Sequence, residues 1–136
     1  MNERAQTEGT SERTDGLPLK GIRIADFSWV AAGPWATALM AQMGAEVIRV
    51  ESRRKLDICR NQPAFADDVP GINRSYFFNI FNASKKSCTL DLSKPRAAEI
   101  AKKLVKISDI VIENFAVGVM EDFGLGYDEL SKVKPD

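Results

Sequence analysis

Residues 22–51, IRIADFSWVAAGPWATALMAQMGAEVIRVE, decide the fold, because they read in turn as strand, tight small-residue turn, helix and strand. Ile22, Ile24 and Phe27, with neighbouring Ala25, mark a largely buried strand that ends near Ser28. Pro34 follows Gly33 and suits the first turn of a helix, where its missing N–H costs nothing. Ala36, Leu39, Met40 and Met43 recur at helical spacing, and Gly44 is a natural residue just past a helix end. Residues 45–50 then form a second apolar strand, with Glu51 at its carboxyl end. So short a crossover between two apolar strands implies a right-handed βαβ unit and a parallel sheet. A turn of small residues leading into a helix can bring backbone N–H groups against a phosphate or another anion. The stretch therefore points to a nucleotide-like ligand without saying which.

Outward from this unit, the periodicity fades over residues 52–87, and residues 52–75, with their charges, prolines and the pair Pro70-Gly71, read as a long surface loop. Loops of that length inside a compact domain are usually functional or disordered. Arg53, Arg54, Lys55 and Arg60 make it basic, which fits a solvated loop or, more sharply, a clamp whose guanidinium forks match phosphate oxygens. Tyr76, Phe77, Phe78, Ile80 and Phe81 form an aromatic cluster, expected as a core-facing helix or turn rather than a stacking platform for a ligand.

A second unit then repeats the first. Residues 87–92 alternate as a strand, and residues 95–107 form a helix with Ala97, Ile100, Ala101, Leu104 and Val105 on one face. Lys102, Lys103 and Lys106 fall in water or near the helix's negative end. Residues 109–113 read as another buried strand, followed by the turn Asn114-Phe115-Ala116-Val117-Gly118 and a short helix from Val119. A last short helix over 127–133 is stopped by Pro135. Both turns fall at the carboxyl edge of the sheet, where open α/β sheets bind ligands. The expected fold is α/β, a Rossmann-like parallel sheet with flanking helices. Its sheet stops where another strand is due, so residues 17–136 are expected to be the front part of a larger domain, after a polar, disordered tail over 1–16.

Composition removes several alternatives. Lys plus Arg and Asp plus Glu each number 19 in 136 residues, so no basic face invites duplex nucleic acid or an anionic membrane. The sequence contains neither a membrane-length apolar run nor a signal-peptide core. Cys59 and Cys88 form no disulfide framework or zinc spacing, and a reducing cytoplasm is the default compartment. Cys88 reads as a small core residue, while Cys59 fits either inside or outside. The count of histidine is 0, so this chain alone builds no Ser-His-Asp or Cys-His nucleophile and no His-based metal site. Acid–base work would fall to Asp, Glu, Lys, Tyr or Cys. Asp26 ends the first strand, and a carboxylate there caps a nearby turn or helix more often than it acts as a base. Neither turn carries a dinucleotide or P-loop fingerprint. From the residues alone, AAGP stands open between a ligand site and ordinary strand-to-helix punctuation.

Taken together, the runs L-x-G-I-R-I-A-D-F-S, V-A-A-G-P, M-G-A-E-V-I-R-V-E, F-N-A-S-K-K-S-C-T-L-D-L and V-I-E-N-F-A-V-G-V-M-E-D-F-G-L-G-Y-D-E-L resemble the N-terminal part of class III acyl-CoA transferases. The resemblance covers about residues 17–136. It implies that coenzyme A, brought as acyl-CoA, meets Val30, Ala31 and Ala32 in the first turn and Ser52 and Arg53 after the second strand. The contacts continue at Leu90, then at Asn114, Phe115, Gly118 and Val119. It also implies transfer of CoA to a carboxylic acid through an enzyme-bound aspartyl intermediate, an interlocked homodimer, and no metal.

The chain departs from the family in places. Glu121 and Asp122 stand where an Arg is common, Ser52 stands where an Arg can occur, and Val117 stands for a usual Pro. The family's nucleophilic Asp matches no residue of this chain, so no catalytic residue is assigned. The family's racemase branch needs a His that is absent here. That branch and a non-catalytic nucleotide-binding module are the alternatives.

Overall fold

The computed structural model describes residues 16–135, so the tail expected over 1–16 lies, save for Gly16, outside the described residues. The elements run β1 (Arg23–Asp26), α1 (Ala32–Gln42), β2 (Glu46–Glu51), α2 (Tyr76–Phe81), β3 (Lys86–Thr89), α3 (Pro95–Lys106), β4 (Ile110–Ile112), α4 (Val119–Asp122) and α5 (Tyr127–Val133). The strands form one parallel sheet in the order β3-β2-β1-β4, as the two βαβ units require. Among the described residues, no helix is long and apolar enough to cross a membrane.

Strand register sorts the side chains onto two faces. Ala25 lies opposite Ile48 and Val111, and Val50 lies opposite Cys88. On one face Ala25, Phe27 and Val50 pack against Ala101 and Val105 of α3, Met120 of α4, and Leu125. Burying a side chain such as Phe27 or Leu125 contributes roughly 1.5–3 kcal/mol. The other face is apolar only toward the strands' amino ends, where Ile24, Ala45 and Val47 pack with Met40 and Ala41. Toward their carboxyl ends it turns polar, with Asp26, Arg49 and Glu51 all buried.

Helix α1 faces the sheet differently from the expected pattern. Its buried residues are Gly33, Pro34, Thr37 and Ala38, while Trp35, Leu39 and Met43 are 44%, 46% and 45% exposed. Close approach explains the rotation. A Cβ on Gly33 would lie 2.4 Å from the Ser28 Cβ, and the Thr37 hydroxyl donates to Asp26 Oδ2 at 2.7 Å. The small residues therefore meet the sheet and the bulky ones face outward.

Three further expectations change. Strand β4 is not the buried strand expected, since Ile110 is 39% exposed where, among the described residues, β4 pairs with β1. The loop expected over 52–75 is not featureless, since it holds 3-10 turns at Ile58–Asn61 and Ala66–Asp68. Ser75 starts α2, accepting from the Phe78 amide and donating to the Gln62 carbonyl at 2.8 Å. The aromatic cluster is a helix but does not face the core: Tyr76 and Phe77 are exposed, and Phe81 meets the Trp35 ring edge-on at 5.5 Å.

Gly44 ends α1 with φ +104°, and the Ala45 amide reaches back to the Met40 carbonyl at 3.0 Å. A Cβ there would sit 2.8 Å from the Leu17 Cβ. Gly44→Ala is therefore expected to destabilise the chain by at least about 1 kcal/mol, read as a lower urea midpoint at unchanged slope.

Candidate functional site

Asp26 closes β1 with its carboxylate fully engaged. It accepts the Ser28 amide at 3.0 Å, the Ser28 and Thr37 hydroxyls, and the Lys85 ammonium at 3.0 Å. This is the capping role rather than that of a free base. Lys85 in turn donates to the Pro34 carbonyl at 2.9 Å and to Asn82 Oδ1 at 3.0 Å, so three acceptors meet its three N–H groups. Burial pushes the Lys85 pKa below its ordinary value, and the Asp26 charge opposes that push. Nothing in the sequence marks Lys85, because one member of a Lys-Lys pair carries no distinguishing signal.

A second group of charges adjoins the first. Arg49 bonds Glu51 Oε2 and Asp57 Oδ2, both at 2.7 Å, and Arg60 reaches Glu51 Oε2 at 2.6 Å. The Asp57 amide donates to Glu51 Oε1 at 2.8 Å, and its own carboxylate caps the turn at Ile58–Asn61 by accepting the Cys59 amide at 2.9 Å. Arg60 also holds the Ile72 carbonyl at 2.9 Å and lays its guanidinium 3.5 Å from the Phe78 ring centroid. Arg60 is thus buried and paired, and does not belong to the solvated basic loop or phosphate clamp expected for it. A capping Asp followed three residues later by an Arg was the available sequence signal.

The two turns sit above these charges and are tied to each other. The Asn114 amide accepts from the Trp29 N–H and donates to the Trp29 carbonyl, both at 2.9 Å. Val30 adopts φ 65°, a left-handed conformation costly for a β-branched residue, and donates its N–H to Asp57 Oδ2 at 3.0 Å. Ala31 caps α1 with no side-chain hydrogen bond, and Ala31 and Ala32 are exposed. Gly118 caps α4 with φ 94°.

Beside the turns, on the sheet face away from the charges, lies a cleft of about 530 Å³. Phe27, Val50, Leu90, Phe115, Val119 and Phe123 give it an apolar floor, and Glu51, Ser52, Arg54, Lys55, Asp91 and Ser93 a polar rim of mixed charge. Trp29 also lines it, meeting Phe115 edge-on at 6.0 Å with the Lys55 ammonium 5.5 Å from its ring. Of the positions implied by the resemblance, Ser52, Leu90, Phe115 and Val119 come together here. Val30, Ala31, Ala32 and Asn114 form or brace the neighbouring turn instead. Arg53 lines an adjoining hollow with Ser52 and Thr89, and Gly118 opens with Phe115 onto a groove beside β4. Trp29 and Phe27 were missed, because their direction depends on where β1 ends.

Comparison with known proteins agrees with this architecture. The family model described as CoA-transferase family III matches residues 19–136. A formyl-CoA:oxalate CoA-transferase of Afipia carboxidovorans is 40% identical over 117 residues, which is 86% of this chain and 27% of that protein. Its Bradyrhizobium counterpart is 38% identical over the same span. Among solved structures, a CAIB/BAIF family protein from Brucella suis superposes with TM-score 0.77 at 35% identity, covering 85% of this chain and 30% of that one. A hypothetical protein from Mycobacterium tuberculosis gives TM-score 0.77 at 34% identity, covering 89% and 32%. The chain thus spans about a quarter of the length of the curated relatives it matches.

The buried charges make stability depend on pH. Burial pushes the Glu51 pKa up, but hydrogen bonds from Arg60 and the Asp57 amide, with the Arg49 charge, bring it to rest below the ordinary 4.5. A carboxylate lowered by folding adds stability that is complete above its unfolded value and is lost as pH falls through the folded one. Urea midpoints should therefore decline below about pH 4.5. Glu51→Gln should flatten that acid limb, while costing about 3–5 kcal/mol at neutral pH by leaving Arg60 and Arg49 short of a partner.

Proposed function

The chain belongs to CoA-transferase family III, and on that premise we propose that it holds coenzyme A for an enzyme moving CoA between an acyl-CoA and a carboxylic acid. The observation that carries this reading is the cleft at the carboxyl edge of the sheet, apolar below and charged at its rim, where Arg54 and Lys55 stand with Glu51 and Asp91. Coenzyme A has a flat adenine, a 3′-phosphate and a pyrophosphate. The aromatic floor at Trp29 and Phe115 suits the first, since rings favour edge or offset stacking. Arg53, Arg54 and Lys55, which are exposed, suit the phosphates. The uncapped start of α1, at Ala31 and Ala32, offers further N–H donors to an anion.

In the proposed reaction, an Asp carboxylate supplied from outside the residues of this chain attacks the thioester carbonyl. The CoA thiolate leaves and a mixed anhydride forms. The thiolate then attacks the aspartyl carbonyl, releasing the first acid and leaving an aspartyl-CoA thioester. The incoming acid repeats these steps in reverse order. Dividing the exchange lowers each barrier, provided that the thiolate stays in place between steps. Retaining the carrier is the role proposed for this chain.

Formyl-CoA with oxalate is the pair to try first, because the relatives are named for it. The proposal includes a cytoplasmic setting, consistent with the free thiols of Cys59 and Cys88, and an interlocked homodimer in the complete enzyme. Calorimetric titration tests the binding role. Coenzyme A should bind more tightly than NAD, and the reverse order would overturn the reading. Arg53→Ala should weaken coenzyme A by about tenfold, as for one charged hydrogen bond, and dephospho-CoA much less. Equal losses for the two would remove Arg53 from the 3′-phosphate.

A further inference from the structure

We propose that Asp57 is a positioning residue for the first turn, setting the backbone at Val30 that coenzyme A meets. The inference rests on the reading that this turn contacts the carrier. Asp57 lies 27 residues beyond Val30 in sequence, in the stretch after β2, and is fully buried. One carboxylate oxygen, Oδ2, takes both the Val30 amide at 3.0 Å and the Arg49 guanidinium at 2.7 Å. The other takes the Cys59 amide at 2.9 Å. The carboxylate is therefore immobilised from below by a buried cation and from behind by its own 3-10 turn.

Val30 is where that rigidity matters. Its φ of 65° is one a β-branched residue adopts only when its surroundings impose it. The preceding residue is pinned by Asn114 through both Trp29 backbone groups. The following helix start is pinned by Lys85 through the Pro34 carbonyl. Between those two anchors, the Asp57 bond is what holds the Val30 peptide in the left-handed conformation. Without it, Val30 relaxes toward ordinary φ and the Ala31 and Ala32 amides turn away from the ligand.

The test compares Asp57→Ala with Gly44→Ala by coenzyme A titration, urea unfolding and amide hydrogen exchange. Both variants lose stability, but Gly44 lies at the end of α1 away from the first turn. Asp57→Ala, which removes the acceptor, is expected to weaken coenzyme A about tenfold and to abolish exchange protection at Val30, as loss of pre-organisation does. Gly44→Ala is expected to leave affinity within about twofold and Val30 protected. Adding Val30→Gly to Asp57→Ala should recover most of the affinity but little of the stability, because glycine adopts this φ without strain.

Affinity losses that follow stability equally in both variants would overturn the proposal, as would a protected Val30 in Asp57→Ala. Should Asp57→Ala not fold, the unaltered chain still decides: Val30 must exchange more slowly than Ala31 and Ala32, and equal rates overturn the inference. A chain that binds no coenzyme A at all would instead overturn the functional reading, with the exchange results still reporting on Asp57.

Discussion

Everything at the carboxyl edge of this sheet depends on six charges buried behind it. Asp26, Glu51 and Asp57 oppose Arg49, Arg60 and Lys85, and each of the six has its charged atoms in contact with a partner of opposite sign. Lys85 pairs with Asp26, while Arg49, Glu51, Asp57 and Arg60 form a linked foursome, and removing any one would strand its own partner in a medium that solvates it poorly. Among the described residues, Arg49 Nε is the single buried side-chain polar atom lacking a hydrogen bond. The network is otherwise closed.

Such a network is a weak source of net stability, since a hydrophobic replacement of the same volume often does as well. Its value here is geometric. Apolar packing between α1 and the sheet would leave the helix free to settle by volume alone. The bonds from Thr37 and Lys85 to Asp26 instead fix its rotation and the position of its first turn. Arg60 draws the long segment after β2 against the sheet through Glu51, Ile72 and Asn73. That segment delivers Asp57 to the underside of Val30.

The sheet consequently separates its two tasks by face. Alternation along β1 sends Asp26 toward the charges and Phe27 toward the cleft, and along β2 it sends Glu51 and Val50 apart in the same way. The cleft side can remain apolar and open because the rigidity comes from the other side. The turns lie on the rim between the two, where a backbone can be braced from within and still face outward.

The sequence by itself determined the order of elements, the parallel sheet and the two turns at its carboxyl edge. Those follow from local periodicity and from the handedness of short crossovers, which need no knowledge of distant residues. It also supplied four cleft residues through the resemblance, and the capping role of Asp26. Tertiary structure alone decided which face of α1 is inside, because a helix seated on Gly33 and Thr37 obeys close approach and a hydroxyl bond rather than hydrophobicity. It alone showed that Arg60 is a buried partner of Glu51 while Arg53 and Arg54 remain outside. Three arginines a few positions apart look alike along the chain. What distinguishes them is which one the fold brings within bonding distance of a buried carboxylate, and that distance is set by residues far away in sequence.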